Sequence, residues 1–161
     1  LSDLRAKHPR VRWLPLDKLH LTLVFLGSME SARVALLTQA LRDVADHRGP
    51  FDVATAEAGG RLGGRGGGVA WLRLADGGHE VAQLALDVDE AIGSGTYDAR
   101  HTPRPHLTVA RGVTEAALAD LRVAAAGLSV TWTVDRVVLF RSHTGPAGSR
   151  YEELGSAMLS G

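Results

Sequence analysis

Two short stretches of this chain share one pattern, and that repeat limits the possible folds more than any other feature. Lys18 to Gly27 reads KLHLTLVFLG, and Arg104 to Arg111 reads RPHLTVAR. In the first, Leu19, Leu21 and Leu23 alternate with His20, Thr22 and Val24; in the second, Leu107 and Val109 alternate with His106 and Thr108. A period of two is that of a strand with one face in the core, so each stretch sets an imidazole and a hydroxyl together on its other face. Two such matches arise by chance on the order of a few times in a thousand for this composition. The copies lie about half a chain apart, which predicts two similar lobes with a cleft between them and not a short-period solenoid.

The segments between the copies read as ordinary elements. Glu30 to Arg48 carries Val34, Leu37, Leu41 and Val44 at helical spacing, with Ser28 as the expected N-cap and Gly49-Pro50 as the stop. Phe51 to Ala58 and Val69 to Leu74 are expected strands, joined by a glycine-rich loop from Gly59 to Gly68 that holds Arg61 and Arg65. His79 to Ile92 sets Val81, Leu84, Val88 and Ile92 on one helical face, and Gly93 to Pro105 reads as a loop. Thr114 is placed to cap a helix bearing Leu118, Leu121 and Ala125, and the β-rich runs Ser129 to Val134 and Arg136 to Phe140 follow. The expected class is α+β: one bilobal domain over residues 1–161, its two pseudo-symmetric lobes built of mainly antiparallel strands flanked by helices.

Composition removes several kinds of chemistry. The 18 Lys and Arg balance 18 Asp and Glu, so the broad basic footprint of a duplex-coating protein is missing, and any nucleic acid is expected to be held locally, by an end. Zero cysteines exclude disulfides, thiolate nucleophiles and Cys-ligated zinc. No apolar run approaches the roughly 18 residues of a membrane span, and no secretory signal is visible, so a cytoplasmic monomer is expected. Gly59 to Gly68 lacks the Gly-Lys-Ser/Thr ending of a P-loop. His47, His79, His101 and His143 read as solvated residues at helix ends or in loops, without metal-ligand spacing, and Asp87, Asp89 and Glu90 as a solvated helix face.

Two imidazoles facing one another suit a reaction in which a proton is taken at one side and returned at the other, because an unperturbed pKa of ~6.5 keeps both forms available. In-line displacement at phosphorus is such a reaction. KLHLTLVFLG and RPHLTVARG resemble the paired His-X-Thr-X signatures of the 2H phosphoesterase superfamily, especially its RNA 2′,3′-cyclic phosphodiesterase family, historically called 2′-5′ RNA ligases. The C-terminal VDRVVLFRSHTGPAGSRYEEL is similar to that family's last strand, its short loop and the segment that follows. The family opens with a strand and helix before its first motif; only nineteen residues precede His20, so this element is expected to be absent from the sequence.

The resemblance implies hydrolysis of RNA 2′,3′-cyclic phosphate ends to 2′-phosphates without metal or cofactor, with reverse 2′-5′ joining open in principle. His20 is assigned as acid and His106 as base. Thr22 and Thr108 would bond the non-bridging phosphate oxygens, and Arg111, five residues after His106, would neutralise developing charge. Phe25 is a candidate to stack on a terminal base or to pack in the core, and Tyr151, on a C-terminal loop, to line the site or simply to pack. The expected partners are RNA ends or small cyclic-phosphate nucleotides. The alternatives are a phosphodiesterase acting on a small cyclic nucleotide or on 2′-5′ oligoadenylate, and an RNA-end-binding module without turnover.

Overall fold

The computed structural model describes residues 2–63, 67–145 and 148–161, so Arg65 lies outside the described residues. In chain order the elements are α1 (Ser2–Lys7), β1 (Arg12–Trp13), α2 (Val34–Ala45), β2 (Phe51–Arg61), β3 (Gly68–Asp76), α3 (Gly78–Ile92), β4 (His106–Val113), α4 (Glu115–Ala125), β5 (Thr131–Val134), β6 (Arg136–Gly145) and β7 (Gly148–Met158). Five strands form one sheet in the order β1-β4-β3-β2-β5, and β6 pairs with β7. The ladders β1–β4, β2–β3, β3–β4 and β6–β7 are antiparallel, in keeping with the α+β expectation.

The chain forms two compact units, each assembled from three separate segments. Unit 1 comprises Leu1–Thr22, Val53–Gly78 and Pro105–Trp132; unit 2 comprises Leu23–Asp52, His79–Arg104 and Thr133–Gly161. The units are therefore not the two halves of the sequence, and both His-Leu-Thr stretches belong to unit 1. Strand pairing is the physical reason, because β4 recruits the first stretch from across the sequence to its own edge.

In unit 1, Leu107, Val109 and Ala110 of β4 pack with Ala70 of β3 and with Leu118 and Leu121 of α4. Thr114 caps α4 as expected: its Oγ1 accepts from the Ala117 amide at 3.2 Å. The residues before His20 carry two elements that sequence periodicity did not reveal, α1 and β1. They are too short for a period, and Leu4 is the one buried residue of α1. Lys18 to Gly27, expected as a strand, is not a regular one. β1 pairs Arg12 with Arg111 and Trp13 with Ala110, and the Leu14 amide still bonds the Val109 carbonyl at 2.9 Å. Pro15 has no N–H to continue that ladder, so the chain leaves it through a 3-10 turn at Leu16–Lys18 and rejoins β4 at a single bridge, Leu21 to Leu107.

In unit 2, α2 and α3 bury Leu37, Leu41, Leu84 and Val88 with Val137 of β6 and Ala157 of β7. A 3-10 turn, Ser31–Arg33, leads into α2, and Ser28 does not cap it. Asp89, expected on a solvated face, is 7% exposed. Its carboxylate accepts from Ser94 Oγ and from the amides of Thr96 and Tyr97, tying the 93–97 loop to α3. Burial pushes this carboxyl up, yet those bonds outweigh it and the net shift is downward. Asp87 pairs with Arg48. His143 is a strand residue of β6, where it meets Glu152 of β7 at 2.8 Å, and not the loop histidine expected. No helix among the described residues is long and apolar enough to cross a membrane.

Candidate active site

The bridge between Leu21 and Leu107 is antiparallel. One residue to either side, that register sets His20 across from Thr108 and Thr22 across from His106. All four side chains then share the face opposite the two leucines, which pack into the unit 1 core and hold the pairing in place. His20 and His106 become diagonal neighbours, a relation that separates residues by roughly 7–8 Å in an antiparallel pair. Such a gap admits a phosphate group. Thr22 and His106 are exposed, whereas His20 and Thr108 are half-buried.

Each ring is also oriented by local structure. The 3-10 turn presents the Lys18 carbonyl to His20, whose Nδ1 lies 2.9 Å from it. A carbonyl only accepts, so Nδ1 carries the proton and Nε2 is the atom that takes up or gives up another. His106 stands opposite Arg73 of β3, and Thr108 opposite Trp71. The Trp71 and His106 ring centroids are 5.7 Å apart with a 57° tilt, a tilted aromatic contact.

Arg111 reaches this face through a bulge. Five residues after His106 is an odd step, and strict alternation would turn Arg111 away. However, Trp71 pairs with Thr108 while the preceding Ala70 pairs with Ala110, so Val109 is an extra residue in β4. Val109 and Ala110 both turn inward, at 3% and 0% exposure. The alternation resumes one residue late, and Arg111 returns to the side of Thr108. Arg12, its partner across the β1 ladder, stands beside it. Both arginines are exposed, and neither makes an ion pair with a described carboxylate.

Phe25 and Tyr151 fall in unit 2. Phe25 is 77% exposed, which removes the core-packing reading. Tyr151 lies in strand β7, opposite Ser142, with its ring 5.9 Å from that of Phe140, and not on a loop. Among the described residues, no three His, Asp or Glu side chains gather as metal ligands would.

A family profile for the 2′-5′ RNA ligase superfamily matches residues 1–146. The chain belongs to this superfamily, the 2H phosphoesterases. Solved structures agree. E. coli LigT in its apo form is 26% identical with a TM-score of 0.70, the match covering 99% of this chain and 88% of LigT. LigT complexed with 3′-AMP is 28% identical with a TM-score of 0.72, covering 99% and 89%. A structure described as a phosphoesterase is 25% identical with a TM-score of 0.70, covering 100% and 94%. A search of curated proteins gives no match.

The face of this 2H phosphoesterase also carries Arg12, Glu57, Trp71 and Arg73, which the sequence reading passed over. Arg73 Nε lies 3.9 Å from Glu57 Oε1. One signal was available: in VAWLRLAD, Ala70 and Leu72 fit a core face, which leaves Trp71 and Arg73 on the other side, and a large aromatic on the outward face of a strand invites a functional question. Arg12 offered none, because its place depends on which residue of β4 it pairs with.

Proposed function

We propose that this phosphoesterase hydrolyses 2′,3′-cyclic phosphate ends on RNA and leaves a 2′-phosphate, with His20 and His106 as its acid–base pair. The observation that carries the reading is the single antiparallel bridge that sets two imidazoles and two hydroxyls on one face, alternating His with Thr. Superfamily membership supports it, as does the likeness to a LigT structure holding a nucleotide monophosphate, 3′-AMP.

In this mechanism His106 takes a proton from water as the water oxygen bonds to phosphorus. The P–O3′ bond breaks in line, and O3′ receives a proton from His20 Nε2, so the two histidines end with exchanged protonation states. Thr22 and Thr108 donate hydroxyl hydrogen bonds to the non-bridging oxygens. Arg111, with Arg12 beside it, balances the charge that builds on them.

The test is turnover, in EDTA, of a short RNA ending in a 2′,3′-cyclic phosphate by wild type, His20→Ala and His106→Ala, with the position of the product phosphate identified. The expected outcome is a 2′-phosphate from wild type and a loss of at least ~100-fold in each variant. Wild-type rates should trace a bell against pH, because one imidazole must be neutral while the other is protonated. A folded wild type that is inert on this RNA but cleaves 2′-5′ oligoadenylate would move the assignment to that substrate, and binding without any turnover would make the protein an RNA-end-binding module.

A further inference from the structure

Alongside β2 in unit 1 lies a recess of about 420 Å³, lined by residues of β2, β3 and α4: Glu57, Gly59, Trp71, Arg73, Arg122 and their small neighbours. Its volume is that of a site for one small ligand. We infer that it is the subsite for the nucleotide preceding the cyclic phosphate end, with Trp71 as the platform for its base and Arg122 and Arg73 as contacts for its phosphodiester. The inference rests on the proposed RNA-end chemistry.

Three observations specify the ligand. The first is what the indole rests against. A Cβ on Gly59 would come within 2.5 Å of Trp71 Nε1, 2.9 Å of Cε2 and 3.3 Å of Cδ1, so the pyrrole side of the indole rests against a backbone position with no side chain. The half-buried ring is held in place this way where it lines the recess, and every nucleobase has a π face to set against an indole.

The second observation is charge. Arg122, exposed on α4, makes no ion pair with a described residue, and Arg73 meets Glu57 only at 3.9 Å. Two guanidiniums against one carboxylate leave a net positive charge of one, the complement of one phosphodiester. The Glu57 carboxylate adds an acceptor suited to an exocyclic base amine. An aromatic platform beside one unit of positive charge describes a nucleotide and not a free phosphate.

The third is continuity with the reacting end. Trp71 lines the recess, and the same ring sits 5.7 Å from His106. A base stacked there is one side chain from the catalytic imidazole, about the step between neighbouring nucleotides. A chain with no net charge would in this way hold RNA by its last two nucleotides.

The test compares a dinucleotide carrying a 2′,3′-cyclic phosphate with the corresponding mononucleotide. Wild type should favour the dinucleotide by about tenfold in kcat/KM. Arg122→Ala should remove about fivefold of that preference through KM and leave mononucleotide turnover unchanged, and Arg122→Lys should restore part of it. Equal effects of Arg122→Ala on both substrates, or no effect on the dinucleotide, would overturn the subsite. Binding of a labelled dinucleotide 2′-phosphate, followed by anisotropy, needs no turnover. Weaker binding to Arg122→Ala than to wild type supports the recess even if hydrolysis is never observed, and equal binding sinks it. Failure of the subsite is thereby separated from failure of the proposed reaction.

Discussion

Arg12 and Arg111 stand directly opposite one another on β1 and β4, an arrangement that works against stability, because like charges in a cross-strand pair repel. An anion bound on the same face, as the proposed reaction requires, would turn that cost into binding energy. Arg12→Ala is therefore expected to leave the fold as stable or more stable by ~0.2–1 kcal/mol while raising KM for the cyclic phosphate several-fold. Urea unfolding and steady-state kinetics on one preparation check both signs. A variant that is less stable with an unchanged KM would show that Arg12 is a structural cation. His20 has a different dependence on its surroundings: the Lys18 carbonyl fixes which nitrogen carries the proton, so its chemistry is set by a backbone atom two residues away.

At the scale of elements, the working piece is an interrupted strand. β4 departs from strict alternation at Val109, and a second shift separates the pairs Gly68–Val113 and Val69–Arg111, where Gly112 adopts φ +68°. The positive φ suits glycine, and the first shift brings Arg111 to the face that carries His106 and Thr108. α4 follows at once, and its cap can be tested apart from catalysis. Thr114→Ala removes the hydroxyl that accepts from the Ala117 amide, which should cost ~1 kcal/mol of unfolding free energy and leave phosphoesterase turnover unchanged. A matching fall in turnover by a fully folded variant would mean that α4 positions the catalytic face of β4 proposed above. The strands β2, β3 and β4 and the helices α2, α3 and α4 were legible because each repeats its apolar period for two turns or several residues. The two-residue β1 and six-residue α1 were not, and β7, reading GSRYEELGSAM, has too few apolar residues to show an alternation.

Taken whole, the molecule depends on ionised carboxylates in both units. In unit 1, hydrogen bonds from Lys7 and His8 hold Asp120 below its ordinary range and join the end of α1 to α4; in unit 2, Asp89 is held low by the 93–97 loop. A carboxyl whose folded pKa lies below its unfolded value contributes stability that is present above the unfolded value, ~3.9, and is lost as pH falls toward the folded one. Stability should thus hold level from neutral pH to about 5 and decline below about 4. Asp89→Asn should flatten part of that decline and cost ~1–3 kcal/mol at pH 7, since the Thr96 and Tyr97 amides and the Ser94 hydroxyl lose a charged acceptor; urea titrations at pH 3, 4, 5 and 7 read both effects. An unaltered acid slope would show that Asp89 is not a source of it.

The His and Thr positions of the candidate site, the core leucines beside them and the α+β class were legible in the sequence by itself, because period-two alternation is a property of one segment and needs no partner. The tertiary structure alone decided that both His-Leu-Thr stretches lie in one unit, that Arg111 faces the histidines, and that Arg12, Trp71, Arg73 and Glu57 join them. Each of those depends on register between segments distant in the chain. Register is fixed by strand pairing, a proline that ends one ladder and a bulge that shifts another, and the spacing within either segment does not contain it.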